Sequence, residues 1–440
     1  MKISFWLIVC GNIALSWAAS AQTTPNIIYI MADDLGYADL SCYGRTDYKT
    51  PYLDKLAGQG VKFTNAYAAA PLCTPTRTAF MTGRYPARTP VGLKEPLTWS
   101  AQDSAVGLTA DYHPLPSLLQ KAGYQTYLIG KWHLGYRPEF NPLQNGFHEF
   151  FGFLGGGIDY TSHTDPKGRN DLWENGTAVL KDGYMTDLLM DKTIEVLKRK
   201  HSKPFFISLM FNAPHWPWQA RGDKPYPAGA DFTSREWKAS GSPEIYASMV
   251  KAMDEAVGKI LQTLDDANLA ANTVVIFTSD NGGEKFSDMG GYAKMKTHLW
   301  EGGIREPAII RWPQKITENS LCDQPIITMD FTATILALAN AKPHPKFPLD
   351  GINILPFVVK KTKVFERTFY WRATQRVQQK AIRKGDWKYL KDEDQEFLFN
   401  LASDPHEENN LKEKQKPIFE ELKKRYAAWE KTVLKPLPLN

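Results

Sequence analysis

Cysteine is scarce in this chain: its 440 residues contain four, too few for a fold held together by disulfides. Long apolar runs are missing after the first two dozen residues, so nothing there is long enough to span a bilayer. Blocks of a single charge are missing too. The 53 Lys and Arg residues against 48 Asp and Glu leave a formal net charge of +5, spread along the sequence without a basic stripe interleaved with aromatics. That distribution argues against a nucleic-acid partner and suits an anionic substrate only weakly. Internal repeats and low-complexity tracts are also absent, and 43% apolar content argues against disorder. What remains is an ordinary globular composition, able to bury a large core and long enough for two domains.

The N-terminus is the one exception to the dearth of apolar runs. Lys2 precedes an apolar stretch from Ile3 to about Ala19, which ends in Ala19-Ser20-Ala21 before Gln22, an A-x-A cleavage pattern. Residues 1–21 are therefore expected to be a signal peptide, cleaved near Ala21, with the mature protein periplasmic or secreted. A stable membrane anchor is not expected, because the run is short and broken by Asn12 and Ser16. Val9 stands before Cys10 where a lipidation signal wants a small residue. Cleavage would leave Cys42, Cys73 and Cys322, an odd number, and whether Cys42 and Cys322 pair is open.

The first two-thirds alternates apolar runs with amphipathic segments, the pattern of a mostly parallel sheet wrapped by helices. Strands are expected at Asn26–Met31, Gln125–Gly130, Pro204–Phe211 and Thr273–Ser279. Helices are expected at Leu115–Ala122, Met185–Lys200 and Pro243–Leu269, where apolar residues recur at helical spacing. Beyond about Lys346 the sequence turns to short strand-like pieces, Thr368–Arg372, Gln379–Arg383, Trp387–Leu390 and Glu396–Asn400, followed by a charged helix from about Lys416 to Lys431. This divides the mature chain into a large α/β domain over 22–345 and a small α+β unit over 346–440.

Each main strand is followed by residues of catalytic type: Asp33 and Asp34 after the first, Lys131 and His133 after the second, His215 after the third, Asp280 and Asn281 after the fourth. In open α/β sheets, ligands bind outside the carboxyl ends of the strands. Adjacent aspartates and an Asp-Asn pair supply only oxygen, which favours calcium or magnesium over zinc. Singly, the aspartates also suit a helix cap or solvated turn, and Asp280-Asn281-Gly282-Gly283 a tight turn; together at strand ends they favour a metal site. Lys131 and His133, two apart in an extended segment, would point to the same side.

The most informative stretch is Cys73-Thr74-Pro75-Thr76-Arg77. Proline suits the first turn of a helix, so Cys73 is expected at the positive end of a helix running to Met81, a natural anion site. This pentapeptide resembles the C-x-P-x-R signature of type I sulfatases. The order Asp33-Asp34, Cys73 to Arg77, Gly130-Lys131-Trp132-His133, Ala213-Pro214-His215, Ser279-Asp280-Asn281-Gly282 and Lys296 ahead of Glu301-Gly302-Gly303 looks like that family from Asn26 to about Pro313. It is most similar to the arylsulfatase A and N-acetylgalactosamine-6-sulfatase branch. Gly385-Asp386-Trp387-Lys388 and Leu398-Phe399-Asn400-Leu401 resemble its small C-terminal part.

The resemblance implies an alkaline phosphatase-like α/β fold: a large mixed, mostly parallel sheet sandwiched by helices, with a small C-terminal antiparallel sheet and helix. It implies that a formylglycine-generating maturation enzyme oxidises Cys73 to formylglycine, and that Asp33, Asp34, Asp280, Asn281 and the modified Cys73 hold Ca2+, with Mg2+ as the alternative. Arg77 would orient the aldehyde hydrate, Lys131 and Lys296 would bind the sulfate, and His215 or Lys296 would protonate the departing alcohol. His133 would take the proton that lets the aldehyde reform. The implied substrate is a sulfated carbohydrate.

Several residues admit two readings. Asp159, Tyr160 and His163 either read the sugar or belong to a glycine-rich turn, and whether Ser162 takes the place of the serine that arylsulfatase A-like members carry there is open. Trp216 and Trp218 either stack on a pyranose or pack in the core, and His298 either lines the site or does not. Two rival functions are a phosphodiesterase or phosphonate monoester hydrolase using the same formylglycine, and a sulfated-glycan-binding protein without catalysis. The joint presence of Cys73, Arg77, Lys131, His133, His215 and Lys296 speaks against the binder, which needs no nucleophile.

Overall fold

The computed structural model describes residues 24–226, 234–360 and 362–437; the expected signal peptide lies outside them. Eleven strands form one large sheet. In chain order they are β1 (Asn26–Ala32), β2 (Val61–Tyr67), β3 (Gln125–Lys131), β4 (Glu149–Phe153), β5 (Trp173–Glu174), β6 (Thr177–Ala178), β7 (Phe205–Met210), β8 (Thr273–Ser279), β9 (Arg305–Arg311), β10 (Ser320–Cys322) and β11 (Ile326–Ile327). Their order across the sheet is β10-β2-β9-β8-β1-β7-β3-β4-β5-β6, with β11 also paired to β2. The block β8-β1-β7-β3-β4 is parallel, whereas β9 runs antiparallel to both β8 and β2.

The central strands are apolar on both faces because helices cover both. Every residue of β1, β7 and β8 is buried, as parallel strands between helical layers require. Ile28, Ile30, Ile207, Leu209, Val275 and Phe277 face one layer, which includes the long helix Pro243–Asp266. Ile27, Tyr29, Phe206, Val274 and Ile276 face the other, with the helices Cys73–Thr82, Leu115–Lys121 and Thr328–Leu338. The long helix starts cleanly: Ser242 caps it by accepting from the Ile245 N–H, and Pro243 follows at the first helical position.

A second sheet is antiparallel, β12 (Thr368–Ala373), β13 (Gln379–Lys384), β14 (Trp387–Asp392) and β15 (Gln395–Asn400), in sequential order. The helix Lys416–Glu430 packs on it through Phe419, Leu422, Tyr426 and Trp429. The two sheets are joined by a shared core and by polar contacts: Trp371 Nε1 donates to the Ala68 carbonyl at 2.8 Å, and buried Lys388 lies 2.9 Å from Glu301 and 2.7 Å from Glu407. The fold is thus the large mixed α/β sheet with a small antiparallel companion that the sequence implied. Among the described residues, no helix is long and apolar enough to cross a membrane.

Candidate active site

The parallel register of β1 on β8 pairs Ala32 with Ser279, so Asp33 and Asp280 emerge side by side at the carboxyl ends. The Asp280 N–H donates to the Ala32 carbonyl at 3.2 Å, and the Asp34 N–H donates to Asp280 Oδ1 at 3.2 Å. Asp34 takes a left-handed conformation (φ 63°), one that aspartate tolerates better than most residues. Lys131, the last residue of β3, places Nζ 2.7 Å from Asp33 Oδ2, and Lys296 Nζ lies 2.6 Å from Asp34 Oδ2. Arg77 donates to Asp280 Oδ2 from Nε at 3.2 Å and Nη2 at 2.9 Å, and lies 3.4 Å from Asp33.

Three carboxylates therefore meet three cations in a site where none is more than 6% exposed. Burying so many charges is costly, and clusters of this kind mark function more often than stability. Burial, with Asp280 and Asp34 adding to it, pushes Asp33 up to about 8 against the pull of Lys131 and Arg77. Burial likewise raises Asp34. Asp280 goes the other way: burial works to raise it, yet Arg77 above all, then Lys131, hold it below the ordinary carboxylate range.

Cys73 opens the helix Cys73–Thr82 as expected, and Leu72 before it provides no side-chain cap. The first turn lies against the carboxylate cluster, with Cys73 Sγ 3.6 Å from Asp33 Oδ1. The helix is fixed from below by Phe80, stacked on Tyr29 of β1 at 3.9 Å. Burial pushes the Cys73 thiol well up, Asp280 and Asp33 adding to the effect against Lys131 and Lys296. Reactive cysteines at helix N-termini have depressed values; this one is a protonated thiol and a poor nucleophile in its unmodified form. Cys42 and Cys322 are also free thiols.

Both histidines stand at the site, each with one nitrogen committed. His133 Nε2 donates to the Leu97 carbonyl at 3.0 Å, which leaves Nδ1 as a buried acceptor without a hydrogen-bond partner. His215 Nδ1 donates to the Trp216 carbonyl at 2.5 Å, leaving Nε2 3.6 Å from Asp34 Oδ2. Burial holds both rings neutral, helped by Lys131 at His133 and by Lys296 and Lys131 at His215. The alternation argument for Lys131 and His133 does not describe how they meet. His133 has φ 56°, so the chain has left the extended conformation, and a turn rather than a strand face brings its ring in. Gly156 closes over that ring: a Cβ there would lie 2.7 Å from His133 Cε1.

Cys73, His133, His215 and Lys296 line a cavity of about 640 Å³, within the range of ligand pockets. Trp216 lines it as well, whereas Trp218 is buried and packs edge-on against Phe286 at 5.0 Å. Asp159, Tyr160 and His163 do not reach the cavity. Asp159 accepts from the Thr161 and Ser162 N–H groups, Tyr160 donates to the Asn212 and His215 carbonyls, and His163 Nε2 donates to the Gly183 carbonyl. They build the turn that supports His215. His298 is not among the lining residues and turns Nδ1 toward Thr297 Oγ1.

Sequence reasoning missed Trp99, Tyr136, Lys167, Lys238, Glu284 and Arg376, all on the cavity wall. Most belong to loops without periodicity, and only their aromatic or charged character could have drawn notice. Glu284 sits 3.3 Å from Lys238 and 3.7 Å from Lys296. Trp99 and Tyr136 stack at 3.9 Å.

Asp33, Asp34, Cys73 and His215 each offer a ligand atom within 4.8 Å of the others. Asp280 is tied to Arg77, and Asn281 directs Nδ2 to Asp34 at 2.7 Å while its buried Oδ1 has no partner. A buried amide oxygen left unpaired beside clustered carboxylates, with a donor set rich in oxygen, fits a hard divalent cation.

The family model described as Sulfatase matches residues 25–341, and that described as N-sulphoglucosamine sulphohydrolase, C-terminal, matches residues 291–432. The chain is 34% identical to N-acetylgalactosamine-6-sulfatase of Homo sapiens over 81% of this chain and 70% of that protein. It is 29% identical to the steryl-sulfatase of the same organism, over 96% and 90% of the two chains. The crystal structure of Ps i-CgsB superposes with a TM-score of 0.83 at 32% identity, covering 95% of both chains. With the cysteine, the carboxylate cluster and the two sheets in place, the chain belongs to the type I sulfatase family and is a sulfuric ester hydrolase.

Proposed function

We propose that this protein is exported and hydrolyses sulfate esters of a carbohydrate, with residue 73 converted to formylglycine and a calcium ion held by Asp33, Asp34, Asp280 and Asn281. The observation that carries the reading is Cys73 itself. It opens a helix at the floor of a 640 Å³ cavity, beside three carboxylates and three cations, as a thiol that burial keeps protonated. Carbohydrate is supported by the relatives: one is named for N-acetylgalactosamine 6-sulfate, and Ps i-CgsB is also known in complex with k-i-k-neocarrahexaose.

A formylglycine at position 73 would, once hydrated, supply a hydroxyl for attack on sulfur and a second through which the aldehyde could reform, and a calcium ion held by Asp33, Asp34, Asp280 and Asn281 would acidify the attacking hydroxyl and screen the sulfate. The chain's residues do the rest. Lys131 and Lys296 now neutralise Asp33 and Asp34; with those carboxylates engaged elsewhere, both ammonium groups are free to bind sulfate oxygens and stabilise charge as it develops. Arg77 holds Asp280 and orients residue 73. His133, neutral with Nδ1 open, accepts the proton that lets the aldehyde reform. His215 and Lys296 both line the cavity: Lys296 carries a proton it can deliver to the departing oxygen, whereas His215, neutral with its Nδ1–H given to Trp216, can do so only after Nε2 takes up a proton.

Release of inorganic sulfate and of inorganic phosphate, compared on matched aryl esters and then on sulfated mono- and oligosaccharides, tests this reading. Sulfate release from saccharides with little phosphate release is the expected result. A preference for phosphate diesters or phosphonate monoesters would replace it with the rival hydrolase.

A further inference from the structure

The cavity has a charged mouth that the reaction described above does not use. Four cations line the cavity: Lys296, which that reaction uses, and Lys167, Lys238 and Arg376, which it does not. Lys296 is committed to Asp34 and Lys238 to Glu284. Arg376 and Lys167, both exposed, have no ion pair among the described residues. Arg376 spends only its Nε, which donates to the Glu95 carbonyl at 3.1 Å, so the outer edge of its planar fork is open.

Arg376 is held there by construction. It sits in the turn between β12 and β13 of the small sheet, and that turn is pinned to the loop carrying Trp99. The Thr374 and Gln375 N–H groups both donate to Glu95 Oε2 at 2.8 Å, and the Glu95 N–H donates to Gln375 Oε1 at 2.7 Å. Glu95 is 9% exposed. A buried carboxylate thus fixes the turn while the guanidinium above it stays unpaired. Lys167 belongs to a different segment, after Asp165, and lines the same cavity. Surface cations are usually idle, but two from separate parts of the chain, both unpaired and both on the wall of the catalytic cavity, are not placed by solvent exposure alone.

Resting on the sulfate-ester reading, we propose that the substrate carries a second anionic group, a further sulfate ester or a carboxylate, which Arg376 and Lys167 hold at the cavity mouth while the reacting sulfate lies over residue 73. Glu284, flanked by Lys238 and Lys296 between mouth and floor, takes a sugar hydroxyl rather than an anion. Trp99, stacked on Tyr136 at 3.9 Å, and Trp216, with Lys238 Nζ 5.0 Å over its ring, also line the cavity and border the space for the sugar ring that links the two charges.

The test compares wild type, Arg376→Ala, Arg376→Lys and Lys167→Ala on four substrates: an aryl sulfate, a disaccharide with one sulfate, a disaccharide with two, and a sulfated disaccharide that contains a uronate. Because a lost charge-assisted hydrogen bond costs roughly a factor of ten or more, Arg376→Ala should lower kcat/KM about tenfold or more on substrates with a second anion, chiefly through KM. It should leave the two singly charged substrates unchanged within about twofold, and Arg376→Lys should recover part of the loss. The doubly sulfated and uronate substrates distinguish the two sources of the anion. Equal losses on all four substrates would reduce Arg376 to a prop for the Glu95 loop and overturn the proposal, as would no loss on any. If wild type releases sulfate from none of them, the proposed function falls. Titration of the same saccharides into Cys73→Ala, with and without Arg376→Ala, then still decides whether Arg376 binds the second anion.

Discussion

At the scale of single residues, the site is a set of charges that balance only together. Asp280→Ala removes the partner of Arg77 and an anion from the cation site, so cation affinity and turnover should both collapse while the fold survives; metal content after dialysis and the melting temperature read the two effects. Retention of full activity in enzyme shown to be metal-free would refute the site. His215→Ala should cost about 10²–10⁴-fold on a sugar sulfate and much less on an activated aryl sulfate, whose leaving group needs little protonation. If Lys296→Ala shows that selectivity instead, the proton comes from the lysine. Asp33, Asp34, Lys131, His133, His215, Asp280 and Asn281 were legible in the sequence because they stand where strands end, Cys73 and Arg77 because they belong to a distinctive pentapeptide, and Lys296 only through the family resemblance. Their contacts were not: the turn at His133 and the pairing of each lysine with a different aspartate depend on loop geometry that carries no period.

At the scale of elements, strands buried on both faces and long amphipathic helices were read closely. β8 was expected and found at Thr273–Ser279, and the helix expected over Pro243–Leu269 ends at Asp266. β9 escaped notice because Arg305 and Arg311 bracket it and Pro307 interrupts it, and β4 because Gly152 breaks its apolar run. The cavity wall escaped for a related reason. Trp99, Glu284 and Arg376 lie in connecting segments, brought together by tertiary contacts such as those of Glu95. The helix that presents Cys73 depends on packing beneath it: Phe80→Ala, which removes the ring stacked on Tyr29, should destabilise the protein by about 3–5 kcal/mol in denaturant titration. A smaller loss, under about 1 kcal/mol, would mean that this stack does not anchor the helix.

At the scale of the whole molecule, the small sheet is clamped to the large one by a buried ionic group in which Lys388 stands between Glu301 and Glu407. Burial, with Glu301 adding to it, pushes Glu407 up to about 7, whereas Lys388 and Arg305 overcome burial to hold Glu301 down to about 2. A raised carboxyl contributes stability below its unfolded value of about 4.5 and loses it as pH rises through about 7, so Glu407 should make the melting temperature fall across that window. Glu407→Gln should flatten that slope. An unchanged slope in the variant would remove Glu407 from the clamp. The same docking sets Arg376 over the catalytic cavity, so the small sheet serves the site as well as the core. The proposed function requires residue 73 to work as formylglycine, and the mass of the Cys73 peptide in preparations of differing activity tests this. The expected peptide is lighter by the thiol-to-aldehyde change, in a fraction that rises in proportion to turnover when a formylglycine-generating enzyme is co-expressed. Full activity in protein whose Cys73 is intact and alkylatable would contradict the proposed function.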